Sequence, residues 1–286
     1  MQTETVLCLN PRGIHRMQYR SWGDPNNPQV LICVHGLARN SRDFDDLAQA
    51  LSSDFRVICP DVVGRGTSEW LPEGAPYEIG QYVQDMMMLI ARLNVDKVSW
   101  LGTSMGGIIG MALAAFPESP IRRLVLNDIG SLVPKASLKR ISQYMGEQRF
   151  SNQAEVEQFL RRHYPALRHI TDSQWTHLAQ HGVRQLPNGQ LALHYDPALA
   201  VAAEKAAAMD MDIDLWPFWQ AIRCPRALIW GQQSDVLLAE TVQQMEAQTP
   251  GLELLSLPDI GHAPSLMEPA HIQWLQSWFQ RNPLTE

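Results

Sequence analysis

The sequence predicts an α/β protein: a doubly wound, mostly parallel sheet with helices on both faces and a helical insertion in its second half. Three observations carry this. Short, continuous apolar runs alternate with helical patterns along most of the chain. The interval between Asp128 and Arg226 breaks that rhythm, with no buried-strand pattern in it. The residues suited to chemistry fall where strand runs end.

Gln29 to Val34, Arg56 to Cys59, Lys97 to Leu101, Arg123 to Leu126, Arg226 to Trp230 and Leu252 to Leu257 read as strands. Such runs are what strands buried on both faces look like. The segment before Gln29 reads as an antiparallel hairpin at the sheet edge. Helices are predicted over Asp43 to Leu51, Ile79 to Leu93, Met105 to Ala115, Ala239 to Ala247 and Pro269 to Phe279. This alternation describes βαβ units. The interval that breaks it is too long for an ordinary connection and reads as helices over Leu138 to Met145, Gln153 to His163, Ser173 to His181 and Pro197 to Met209. We therefore expect a core of residues 1–130 and 215–286, with residues 131–214 as a helical cap over the sheet's carboxyl edge. Between Ser131 and Asp214 there are nine Lys+Arg and nine Asp+Glu, so the core carries the acidity.

At 286 residues and 45% hydrophobic content, one large domain with an insertion fits better than two independent cores. A net charge of −7 argues against nucleic-acid backbone binding as the main task. Cys8, Cys33, Cys59 and Cys224 lie far apart and form no C-x-x-C pair; three of them sit inside apolar runs and read as small buried hydrophobes, and a disulfide or zinc framework is not expected. The amino terminus shows no signal-peptide pattern. The Met86-Met87-Met88 run sits in a short, charge-flanked helix, not a membrane span. The expectation is a cytoplasmic protein with no membrane partner, as monomer or homodimer.

The strongest motif is Gly102-Thr103-Ser104-Met105-Gly106, placed after one strand and opening a helix rich in small residues. A nucleophile elbow requires that strand–turn–helix setting, because a strained serine needs neighbours without bulk two residues away. A serine hydroxyl is a weak nucleophile and needs a base held by an acid. His262, in a loop after the last strand, is the candidate base. Asp235, after the strand ending at Trp230, is the candidate acid, in the chain order Ser, Asp, His.

These residues, with His35-Gly36, Asp61-x-x-Gly64-x-Gly66-x-Ser68 and Gly107, resemble the α/β-hydrolase superfamily over nearly the whole chain. The resemblance implies an eight-stranded sheet with one antiparallel strand in its first hairpin. It also implies an oxyanion hole from the backbone N–H groups of Leu37 and Met105, leaving those side chains to shape an acyl pocket. His35 is expected to brace the oxyanion loop, and Asp61 to Ser68 to be a structural turn. Asp128 is a competing acid position in some relatives; Asp235 is preferred because its loop follows the seventh strand. Ser104, where dehalogenases and epoxide hydrolases of the superfamily carry aspartate, disfavours both. Leu37-Ala38 after His35-Gly36 disfavours lipases with an HGGG loop.

In the insertion, Arg161, Arg162, His163, Arg168 and His169 form a basic cluster, read first as a solvated face partnered by Glu155 and Glu157. A carboxylate-binding patch is the alternative. His177 and His181 have metal-compatible spacing but no third ligand in the pattern. Trp175, Trp216, Phe218 and Trp219 read as cap core. The resulting expectation is a serine hydrolase of carboxylic esters of small to medium acyl chain, using Ser104, His262 and Asp235, without cofactor or metal. A carbon–carbon bond hydrolase of aromatic ring-cleavage products, and a ligand-sensing binding protein on the same fold, are the alternatives.

Overall fold

The computed structural model describes residues 1–284. Its main sheet has eight strands: β1 (Gln2–Asn10), β2 (Gly13–Trp22), β3 (Val30–Val34), β4 (Arg56–Pro60), β5 (Val98–Thr103), β6 (Ile121–Asn127), β7 (Arg226–Gly231) and β8 (Glu253–Leu257). Their order is β1-β2-β4-β3-β5-β6-β7-β8. β2 runs antiparallel to both β1 and β4, and every other pairing is parallel. The apolar runs in β3 to β6 are buried on both faces, whereas β8 at the edge is only half-buried.

Helices α1 (Asp45–Leu51), α2 (Ile79–Leu93) and α3 (Met105–Ala114) connect the early strands. One apolar layer packs α2 and α3 on one face of the sheet. A second layer, built on Phe44, Leu47, Leu51, Leu275, Trp278 and Phe279, closes the other face. In α2, Met86 is buried while Met87 and Met88 stand exposed. The four cysteines are free thiols. Among the described residues no helix is long and apolar enough to cross a membrane.

Between β6 and β7 lie α4 (Lys135–Tyr144), α5 (Gln153–His163), α6 (Asp172–His181), α7 (Ala198–Ala208) and α8 (Trp216–Ala221), with α9 (Ala239–Gln248) and α10 (Pro269–Arg281) following β7 and β8. The insertion also holds short strands at Arg149–Phe150, Val183–Gln185 and Leu191–Leu193, joined into a small antiparallel sheet. Runs of two or three residues carry no periodicity, so sequence reasoning misses them. Leu132–Val133 pairs with Ile213–Asp214 and ties the two ends of the insertion together. Phe150, Val156, Leu160, Trp175, Leu178 and Tyr195 form an apolar cluster within it.

The turn from β5 into α3 leaves no room for a side chain at either of its flanking glycines. Ser104 sits there at φ 52°, ψ −116°. A Cβ on Gly106 would lie 2.1 Å from the Val34 carbonyl oxygen, and one on Gly102 would lie 2.3 Å from the Gly106 carbonyl carbon. Both obstacles are backbone and cannot move aside alone. Gly106→Ala is therefore expected to cost about 3 kcal/mol or more, read as a loss of folded protein in thermal or urea unfolding.

Candidate active site

β5, β6, β7 and β8 end on the same edge of the sheet, and the site is assembled from the loops that leave them. The strained turn lifts Ser104 above that edge. His262, in the loop after β8, places Nε2 2.9 Å from Ser104 Oγ. His262 Nδ1 lies 2.8 Å from Asp128 Oδ2.

The carboxylate paired with His262 is thus not the one that sequence reasoning preferred. Asp235 is turned away from the histidine and forms an ion pair with Arg140 of α4, with Nη2 donating to Oδ1 at 2.9 Å and Nε donating to Oδ2. Its side chain is 47% exposed, whereas that of Asp128 is wholly buried. Local geometry explains the exchange. Asp128 follows β6 at φ 56°, a left-handed conformation that aspartate tolerates. Its amide donates to the Ile229 carbonyl, and its Oδ1 accepts the Gly231 N–H at 2.8 Å. The end of β7 therefore supplies an amide that holds the carboxylate, not the carboxylate itself. Asn127 Nδ2 donates to Thr103 Oγ1 and to the Pro264 carbonyl, clamping the loop that carries His262.

Gly36 lies against the nucleophile, since a Cβ built on it would stand 3.7 Å from Ser104 Cβ. The next residue, Leu37, has an N–H with no protein acceptor among the described residues. Met105 is the first residue of α3, so helix geometry leaves its N–H without an intrahelical partner. His35 braces this loop: Nδ1–H donates to the Gly36 carbonyl at 2.8 Å, and Nε2 accepts from the Val62 N–H at 3.0 Å. Those roles require the neutral ring, and burial pushes its pKa down to about 4.

Sequence reasoning missed Arg65, which lies inside the turn read as structural. Its guanidinium is fully buried and donates to the Leu37 carbonyl at 3.0 Å and the Val63 carbonyl at 2.8 Å. It also reaches Met105 Sδ and packs over the rings of Tyr77 and Tyr82. One cation thereby touches both residues expected to supply oxyanion donors. The Met105 side chain consequently faces Arg65, while Leu37 alone of the two lines the cavity beside Ser104. Asp61, in the same turn, accepts from Ser41 N, Thr67 N and Arg20 Nη1. Burial raises its pKa, but Arg20 and these donors outweigh it and hold the carboxyl below its ordinary value.

The cavity over Ser104 is walled by Leu37, Ile141, Tyr144, Tyr164, Leu167 and Met267, with residues from both the insertion and the sheet edge. Of the four aromatics read as cap core none lines it, and only Trp175 belongs to the insertion's apolar cluster: Trp219 packs in the main core, Trp216 packs against that core, and Phe218 is exposed. Of the basic cluster only His163 lines the cavity, while Arg161 pairs with Glu157 and Asp172 and Arg168 donates to the Asp259 carbonyl. His177 Nε2 lies 3.1 Å from the Arg42 carbonyl, and His181 Nδ1 accepts from Arg42 Nη1 at 3.1 Å. Both thus join the insertion to the segment before α1.

Two outcomes follow. Asp128→Asn is expected to lower kcat about 10³–10⁴-fold in ester assays, by leaving the wrong imidazole tautomer, while Asp235→Asn keeps most of it. Burial also lowers the His181 pKa to about 4. Between pH 6.5 and 4 the unfolded chain binds protons at His35 and His181 that the folded chain refuses, so stability falls as pH drops through that window. The slope is up to ~1.4 kcal/mol per pH unit for the fully buried His35, and smaller for His181, whose partly exposed ring is screened by solvent. Urea midpoints measured from pH 7 to 4.5 should decline, and His35→Gln should flatten the decline.

A sequence profile described as "alpha/beta hydrolase fold" matches residues 29–269. The 3-hydroxybutyrate-oligomer hydrolase of Cupriavidus necator is 45% identical over 281 residues, covering 96% of each chain. The crystal structure of a putative hydrolase from Rickettsia typhi superposes with a TM-score of 0.92 at 31% identity, over 99% of this chain and 100% of that one. An alpha/beta hydrolase from Novosphingobium aromaticivorans gives 0.85 at 34% identity, over 98% of both. The chain belongs to the alpha/beta-hydrolase-fold family.

Proposed function

We propose that this protein is a serine hydrolase of short carboxylic esters, with oligomers of 3-hydroxybutyrate as its leading substrate class. The observation that carries the reading is the continuous chain from Ser104 Oγ through the His262 ring to Asp128 Oδ2, with contacts of 2.9 and 2.8 Å. The substrate class is supported by the similarity to the Cupriavidus necator enzyme across nearly both full lengths. In this reading Ser104 attacks the ester carbonyl and His262 takes its proton, then returns it to the leaving alcohol. Asp128 keeps the proton on Nδ1 and balances the imidazolium. The Leu37 and Met105 N–H groups receive the oxyanion, and a water molecule then repeats the sequence on the acyl-enzyme.

Residues 131–214 act as a cap on a core of residues 1–130 and 215–286. The apolar cluster inside the insertion supports this, as do the cavity walls it contributes. A cavity bounded by Leu37, Tyr144 and Tyr164 suits a short acyl group better than a long one.

The test is release of 3-hydroxybutyrate from its dimer and trimer, followed chromatographically, beside labelling with a fluorophosphonate. Wild type should turn over many times and carry one phosphonyl adduct on Ser104. Ser104→Ala should show no adduct, with kcat reduced about 10⁶-fold. An active Ser104→Ala protein, or an inert wild type, overturns the reading.

A further inference from the structure

Resting on that reading of the site, we infer that Arg140 is a specificity residue that binds a free carboxylate at one end of the ester, so that the preferred substrates are anionic. Arg140 is the guanidinium of α4 that lines the cavity over Ser104. Asp235, which does not line that cavity, grips it from the side through Nε and Nη2. A guanidinium has two such forks, and this grip fills one. The opposite edge, with Nη1, meets no carboxylate among the described residues. Beside it is Tyr144, another cavity residue, which hydrogen-bonds Arg140 and whose ring centroid lies 5.9 Å from the guanidinium carbon; being neutral, it leaves the positive charge uncompensated on the cavity side.

Position adds a second argument. The Arg140 side chain is 41% exposed although it lines the cavity, so it stands at the mouth. A carboxylate there keeps part of its hydration and costs little to bind, while the scissile carbonyl reaches Ser104 below. Arg39, the other arginine of the cavity wall, cannot offer the same charge. Its partner Asp43 lines the cavity with it, binds it through the equivalent fork and would repel a second anion. Arg161 and Arg168 are spent on other partners away from the cavity, and His163, which lines it, is stacked on Phe159 with Nδ1 at the Phe159 carbonyl. In a 3-hydroxybutyrate dimer the free carboxylate sits on the alcohol half, which leaves toward the mouth once the serine is acylated. Asp235 is then a positioning residue, orienting Arg140 from outside.

The test compares kcat/KM for the 3-hydroxybutyrate dimer and for its neutral terminal amide, which carries the same scissile ester. Wild type should favour the acid, and Arg140→Gln should lower the acid-to-amide ratio at least about tenfold, mainly through KM. Arg140→Lys should restore part of the ratio, since it keeps the charge and loses the fork. A wild type that prefers the amide, or a ratio unmoved in Arg140→Gln, overturns this inference and leaves ester hydrolysis standing. A wild type that cleaves neither compound overturns the hydrolase reading itself. Should Arg140→Gln fail to fold, the wild-type ratio and its decline with added salt remain decisive, because an ion pair at a half-exposed site is screened.

Discussion

Gly106 brings the start of α3 against the carbonyl of Val34 so closely that no methyl group fits between them. From that approach much of the site follows. The chain leaving β5 must reverse within a residue, and Ser104 absorbs the reversal in a conformation that side chains seldom adopt. The same approach sets the end of β3, and with it Gly36 and Leu37, beside the serine. Nucleophile and oxyanion loop are thus placed by one backbone constraint, which explains why glycines stand two residues to either side of the serine.

The remaining parts hang on hydrogen bonds that cross between strand ends. Asp128 is buried and would be costly there without partners. It has one donor in the Gly231 amide and another in the histidine. Asn127 reaches to the Pro264 carbonyl and fixes the loop of His262. Each neighbouring strand end therefore steadies the group on the next. Ser104, His262 and Asp128 do not depend on the insertion for their mutual geometry.

The insertion is joined to this frame by polar links at several points. Asp196 N donates to the Gly64 carbonyl, and Tyr77 Oη donates to Asp196. Asn40 Nδ2 donates to the His181 carbonyl. Arg65 sits beneath these links with no acid partner among the described residues, stabilised by carbonyl oxygens and aromatic faces. The turn from Asp61 to Ser68 thus serves two surfaces at once: it docks the insertion and steadies the loop that carries Leu37.

Much of this was legible in the sequence. The strands and helices of the core follow from apolar runs and amphipathic spacing, because burial on both sheet faces leaves a continuous pattern. The elbow around Ser104 and the loop of His262 follow from motif and position, since backbone strain selects glycines that a reader can see. The short strands of the insertion were not legible, because two or three residues carry no period. Which carboxylate meets His262 was not legible either. Asp128 and Asp235 both follow strands that end on the same edge, and chain order admits both. Only the tertiary structure separates them, by burying Asp128 against the Gly231 amide and drawing Asp235 outward to Arg140. Sequence patterns determine which elements form and which strand ends converge. Where a carboxylate finds its nearest cation or amide is decided by distances between segments remote in the chain.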